Sequence, residues 1–447
     1  MKPGKAFTTG WRYKFPFLIL AVIVAIGLAQ PITEVAQTNG IPIDHADTAW
    51  ILIASALVFL MTPGLGFFYG GMVRYKNLVS TLLQSFVALG LVSIMWVVVG
   101  FSIAFGDSVG GFFGNPATYF MFKNVGAAVN PDFAATIPFA LFALFQLKFA
   151  IITPALITGG LAERVRFSSL ILFIVLFSLI IYAPLAHWTW HPEGFLRQWG
   201  VLDFAGGTVV HISAGFAALA GAISLGRRHT PKIQPQPTNI PYILLGTGLL
   251  WFGWFGFNGG SALAANETAV LAFINTNIAS ATGMLTWLFL DSISSRKRSA
   301  VGACIGAVIG LVAITPAAGY VTVGQSLFFG FISVVVSYTA VKLKSKTNID
   351  DTLDVFPCHG LGGIVGMVLT GVFAKDVGLV YGETSTFIHH LLALGIVGTF
   401  TFFGSLFIYK ITDLILPIRV SSRQEEEGLD LTQHGEEASD WRSRCDA

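Results

Sequence analysis

Charged side chains are scarce in this chain: Asp, Glu, Lys and Arg together make up 11% of its 447 residues. A soluble domain carries about 25%, so the deficit excludes an ordinary water-exposed fold. The formal net charge is only +2, which offers no strongly basic surface, and no nucleic acid is expected as a partner. Cysteine is rare as well. Cys304, Cys358 and Cys445 are the only three and show no C-x-x-C spacing, which excludes a disulfide framework and a structural zinc site. Polar stretches between the apolar runs are too short to hold a second globular unit.

Apolar residues fill the chain instead, at 54% with a mean hydropathy of +0.72. Windows of about 17 to 25 mainly apolar residues, long enough to cross a bilayer core as helix, recur throughout. They lie near 49–72, 79–105, 136–160, 168–188, 204–226, 240–263, 268–290, 300–317, 320–341, 357–374 and 387–417. The pattern predicts an all-α membrane protein with eleven transmembrane helices. Ahead of them, Lys2, Lys5, Arg12 and Lys14 precede an apolar run, Phe15 to Ala29, that ends in small residues. This reads as a secretory signal over residues 1–30, with a retained twelfth helix as the alternative. Residues 31–420 then form the transmembrane domain, beginning with an exported segment from Gln37 to Thr48, and 421–447 form a tail.

Orientation follows from lysine and arginine in the connections. One set of loops, together with the segment after the last span, carries fifteen such residues, from Arg74 and Lys76 to Arg419 and Arg423. The alternate loops carry three: Lys123, Arg197 and Lys375. The C-terminus is therefore expected in the cytoplasm. The longest loop, 106–135, is punctuated by Gly110-Gly111 and Asn115-Pro116, as in a structured external cap.

Two histidines sit inside glycine-rich apolar runs, each shortly after an aspartate: Asp203 with His211, and Asp354 with His359. Ionisable side chains at membrane depth are costly and usually mark an ion or substrate path. They occupy the fifth and tenth spans. Two sets of five, an odd number, must run in opposite senses, so the spans read as a 5+5 inverted repeat plus a final helix. Each aspartate stands where a helix would begin and is expected to cap its free N–H groups. His211 should then lie about 12 Å beyond Asp203, and His359 about 7.5 Å beyond Asp354. In a layer of about 30 Å the rings meet only if at least one aspartate starts below the surface. Neutral imidazole has one donor and one acceptor, so two rings can share a proton and still face a pore. Glycines away from the histidines, such as Gly302, Gly306 and Gly310, are expected to serve close helix packing.

Aromatic residues cluster in Phe145-Gln-Leu-Lys-Phe149, His187-Trp-Thr-Trp190 and Gly253-Trp-Phe-Gly-Phe257-Asn-Gly-Gly-Ser261. Aromatic faces attract cations, more strongly once desolvated, although such residues are commonly packing or interfacial belts. The stretches DFAGGTVVHI from Asp203, GWFGFNGGSALAANE from Gly253, AERVRF from Ala162 and DVFPCHGLGGIVG from Asp354 resemble the ammonium transporter family, its Amt branch above all, from about Thr48 to Gly435. The resemblance implies that Phe149, Trp190 and Ser261 form an outer cation site supported by Asp203. It makes Phe149 and Phe257 a stacked gate and His211 and His359 twin pore-lining histidines.

By the same likeness the chain is a transporter and no enzyme, needs no cofactor or metal, and forms a homotrimer in the inner membrane. Ammonium, ammonia and methylammonium are its substrates. The tail, acidic at Glu425-Glu-Glu427, reads by composition as solvated. The likeness instead implies an ordered cytoplasmic segment regulated by a PII-type partner, with Thr432 at a position phosphorylated in some relatives. Lys148, next to the presumed gate, should point away from a cation path. Two other readings stand beside transport: an ammonium receptor that moves little, and a haem protein ligated by the two histidines, for which no C-x-x-C-H motif is present.

Overall fold

The structure is a computed structural model, describing residues 11–29, 40–229 and 237–438; Lys232, Cys445 and the tail beyond 438 lie outside the described residues. Among these, ten helices are long and apolar enough to cross a membrane, from His45–Met72 to Thr384–Ile415. The expected span at 300–317 is the shorter apolar helix Ala300–Ile314, which ends in a turn through Thr315 and Pro316. The segment of the expected signal contains the helix Trp11–Ala29, whose described apolar side chains are mostly exposed.

Small residues set how closely the helices pack. A Cβ on Gly283 would stand 2.4 Å from the carbonyl oxygen of Gly306, so helices Glu267–Ile293 and Ala300–Ile314 approach backbone to backbone only because both residues are glycine. Among the described residues π turns lie within two spanning helices, at Trp96–Gly100 and Ser178–Tyr182, and near the start of two others, at Gly207–Ile212 and Phe356–Leu361. The long loop 106–135 is structured, as expected. Ser108–Val109 pairs antiparallel with Phe113–Gly114, and Val129–Asn130 with Ala134–Pro138.

At the opposite end the basic loops and the tail lock together. Glu163, 1% exposed, takes Arg74 and Arg228, each at 2.9 Å, and Asp350 takes Arg228 at 2.9 Å. Burial raises the Asp350 carboxyl, but Arg228 and Arg164 outweigh it and bring it down to about 2. The folded-state value is depressed, so this ion pair is complete above the ordinary carboxylate range and is lost only as pH falls toward about 2. The tail is packed rather than solvated over its described part. Asp430 accepts the N–H groups of Val79 (3.0 Å) and Ser80 (2.8 Å), Asn77 Oδ1 accepts that of Leu429 (2.9 Å), and buried Glu425 pairs with Arg419 at 2.8 Å. Its acids are met by Arg419 and Arg423 of the same segment and by the N–H groups of Val79, Ser80 and His229, partners that composition alone could not reveal.

Candidate functional site: a histidine pair beneath an aromatic vestibule

Two carboxylates open the two helices that carry the histidines. Asp203 Oδ1 accepts the N–H groups of Gly206 (2.8 Å) and Gly207 (2.6 Å), and Oδ2 accepts the Thr208 N–H (2.7 Å) and hydroxyl (2.5 Å). The chain turns at Gly206, with φ of 116°, a left-handed value that glycine adopts without a Cβ penalty. Helix then starts with the π turn Gly207–Ile212, which holds His211.

In the second helix the cap is Asp351 and not Asp354. Asp351, 1% exposed, accepts the N–H groups of Val355 (3.1 Å) and Phe356 (2.7 Å). Burial pushes its carboxyl above the ordinary range, with Lys344 opposing. Asp354 is the turn residue itself, at φ 58°, and its carboxylate pairs with Lys344 at 2.5 Å. A side chain at the turn cannot reach back over the amides that follow it, whereas one three residues earlier can. Asp351 thus matches Asp203, and Asp354 matches Gly206; in both helices the histidine comes eight residues after the cap.

Equal spacing removes the depth mismatch. Between cap and ring, helix runs only from Gly207 to His211 and from Val355 to His359, about 6 Å of rise on each side, and both caps are buried, so each helix starts inside the layer and the rings meet there. His211 Nδ1 and His359 Nδ1 lie 3.3 Å apart with ring centroids at 5.4 Å, which leaves no room for an iron and macrocycle between them. The two helices cross where a Cβ on Gly215 would stand 2.3 Å from Gly360 Cα.

Thr315 sets the direction of the shared proton. Its hydroxyl donates to the Leu311 carbonyl (2.8 Å) and accepts the Trp254 Nε1–H (2.9 Å). Toward His211 Nε2, at a long 3.4 Å, it can therefore only accept. His211 then carries its proton on Nε2, its Nδ1 is bare, and His359 Nδ1–H donates across the contact. His359 Nε2 is left as an acceptor.

Above the pair, rings stack outward. Phe257 is 6.0 Å from the His211 centroid and 4.3 Å from Phe149, and Phe149 is 5.8 Å from Trp190. Phe149 and Phe257 are buried. Over them opens a cavity of about 440 Å³ whose lining includes Phe149, Trp190, Asp203, Tyr320 and Ser261. Ser261 Oγ donates to the Phe257 carbonyl (2.8 Å), so its lone pairs are what it can offer a ligand. Trp190 Nε1 donates to the Asp203 carbonyl (3.1 Å), tying the aromatic wall to the loop of the cap. Asp203's carboxylate is occupied by three backbone N–H groups and the Thr208 hydroxyl. Lys148 turns away, its Nζ 5.3 Å from the Phe59 centroid.

Sequence reading missed Thr315 and His390. Buried His390 accepts the Leu202 N–H on Nε2 (3.0 Å) and therefore donates from Nδ1 to the Met367 carbonyl (2.8 Å), pinning the residue before Asp203. His390→Phe, which keeps bulk but removes the acceptor, is expected to raise the ammonium concentration for half-maximal uptake several-fold with little change in maximal rate. His390→Gln should restore most of the affinity; unchanged half-saturation in His390→Phe would refute this role. Among the described residues no group of three or more His, Cys, Asp or Glu is placed to hold a metal ion.

Residues 49–439 match the Ammonium Transporter Family. The chain is 47% identical over 412 residues to an ammonium transporter of Aquifex aeolicus, covering 90% of this chain and 95% of that protein. Its structure is similar to that of Candida albicans Mep2, with a TM-score of 0.81, 37% identity and coverage of 86% of this chain and 88% of the other. It is also similar to a sensor Amt protein, at a TM-score of 0.81, 30% identity and coverage of 87% and 98%. An all-α membrane fold, a likeness along nearly the whole chain and the motifs around both histidines agree: this chain belongs to the ammonium transporter family.

Proposed function

We propose that the protein takes up ammonium by recruiting the cation in the aromatic vestibule, separating its proton, and conducting ammonia past Phe149 and Phe257 along the histidine pair. The observation that carries this reading is the buried 3.3 Å contact between His211 and His359 directly beneath a stack of aromatic rings. Trp190 and Phe149 offer π faces to a cation, and the Ser261 lone pairs offer it an acceptor. Carrying the full charge further through hydrocarbon is very costly, whereas ammonia is small and neutral. The pair can relay a proton in balance: His359 Nε2 accepts one, His359 Nδ1–H passes its own to His211 Nδ1, and His211 gives up the one on Nε2. Charge then moves separately from the nitrogen, and net transport is electrogenic.

The surrounding features support the finer parts of the same reading. The apolar helix Trp11–Ala29 fits a signal segment. Lys148, half-buried at mid-span beside Phe59, fits a contact with another copy in a homotrimer. The ordered tail beside the basic loops fits a cytoplasmic C-terminus in the inner membrane and a PII-type partner.

Uptake of labelled methylammonium into vesicles tests the reading. Saturable uptake inhibited by ammonium is expected, whereas saturable ammonium binding without uptake would instead make the protein a receptor.

A further inference from the structure

We propose that the Lys148 ammonium group of one copy of the chain donates to the Asn277 side-chain carbonyl of the next, a polar contact inside the membrane that joins the copies into a ring. This rests on the reading that the protein assembles as a homo-oligomer. Lys148 stands half-buried in the middle of the helix Phe139–Leu161, with its Nζ 5.3 Å from the Phe59 centroid. Asn277 stands exposed in the helix Glu267–Ile293. Away from the helix ends it is the one exposed side-chain amide in the spanning helices, among the described residues. Within one copy neither side chain has a hydrogen bond or an ion pair. Both groups are costly to leave unpaired in hydrocarbon.

The two groups lie at one depth. Gly253, on the helix Ile240–Gly260, faces His45–Met72 between Leu57 and Met61: a Cβ there would stand 2.7 Å from the Leu57 carbonyl oxygen and 2.2 Å from Met61 Cγ. Phe59 is midway between those residues and so level with Gly253. Phe255, half a turn nearer the vestibule, stacks on Phe273 with centroids 4.0 Å apart. Asn277 follows one turn from Phe273 toward the basic loops. It therefore lies within about 3 Å of the level of Gly253 and Phe59, and Lys148 Nζ sits against Phe59.

Helices His45–Met72 and Ile240–Gly260 stand between them in one copy, so a bond must run from one copy to another. Two different surfaces then meet head to tail, which closes as a ring and not as a two-fold dimer. The flanks suit a protein contact: Leu52 is 51% and Phe59 45% exposed on one side, Phe273 38% and Ile274 42% on the other. Phe59 faces one side of the ammonium and leaves N–H groups for an acceptor. Lipid tails offer none at this depth, whereas a neighbouring amide does, as polar side chains join helices within membranes. Lys148 directly precedes Phe149, so the contact also anchors the gate helix to the next copy.

The test is the rate at which the purified full-length oligomer separates into single copies in denaturing detergent, followed by native mass spectrometry. It compares wild type, Lys148→Met, Asn277→Leu, both changes together, and the control Lys410→Met, an exposed lysine on another helix. The changes place apolar groups on surfaces that are already apolar, so the variants should fold; helix content by circular dichroism checks this. Each single variant should separate about tenfold faster than wild type, the double variant no faster than the faster single one, and the control at the wild-type rate. A wild-type rate in either single variant, losses that multiply in the double variant, or an equal loss in Lys410→Met would overturn the contact and leave the oligomer standing. Wild type found only as single copies would overturn the oligomer reading, and the contact with it.

Discussion

Asp203→Ala is expected to abolish uptake and to leave little folded protein in the membrane. The carboxylate accepts three backbone N–H groups and one hydroxyl inside a buried turn. Each buried N–H left unpaired costs about 1–3 kcal/mol, so the three together cost about 3–9 kcal/mol, against a total stability of about 5–15 kcal/mol. The turn also carries the Asp203 carbonyl that holds Trp190, so loosening it disturbs the aromatic wall. Asp203→Asn keeps one acceptor oxygen but turns an NH2 group toward backbone donors, and should fall between. Melting temperature in detergent and methylammonium uptake per folded protein are the measurements. Wild-type uptake in Asp203→Ala would show that the cap is dispensable.

The second large effect concerns the histidines as a unit. His211→Ala or His359→Ala alone should lower uptake about 100-fold, the lower end of what a positioned acid or base contributes. Either change leaves the other ring without its partner at the 3.3 Å contact. The double variant should therefore be no worse than the worse single one, as for groups that act together. Multiplying losses in a double-mutant cycle would mean that each ring acts independently and that no proton is shared.

Much of this arrangement was legible in the residues. Ionisable side chains in long apolar runs announce themselves, and His211 and His359 stood out without any likeness to known proteins. The spans were legible for the same reason, except that the run at 300–317 stops at Ile314, where Thr315 and Pro316 take the chain into a turn beside His211 and Gly207. Asp354 is the aspartate closer to His359 in sequence, yet the matching interval of eight residues from Asp203 to His211 points to Asp351. The outer residues Phe149, Trp190 and Ser261 lie far apart in sequence, and local pattern cannot tell a cation-binding ring from a packing one. Family likeness named them. His390 and Thr315 left no local signal, since each acts on a backbone or ring group brought to it by a different helix. The tail's packing was hidden because its acids are met by backbone N–H groups of loops distant in sequence as well as by Arg419 and Arg423 nearby.

The central claim is that ammonium gives up its proton and that the histidine pair carries the charge separately. Electrical recording on proteoliposomes given an ammonium pulse tests this most directly, comparing wild type with the His211→Ala, His359→Ala double variant. A transient inward current that scales with ammonium in wild type and vanishes in the double variant is expected. Wild-type current indifferent to ammonium, or an undiminished ammonium-selective current in the double variant, would contradict it.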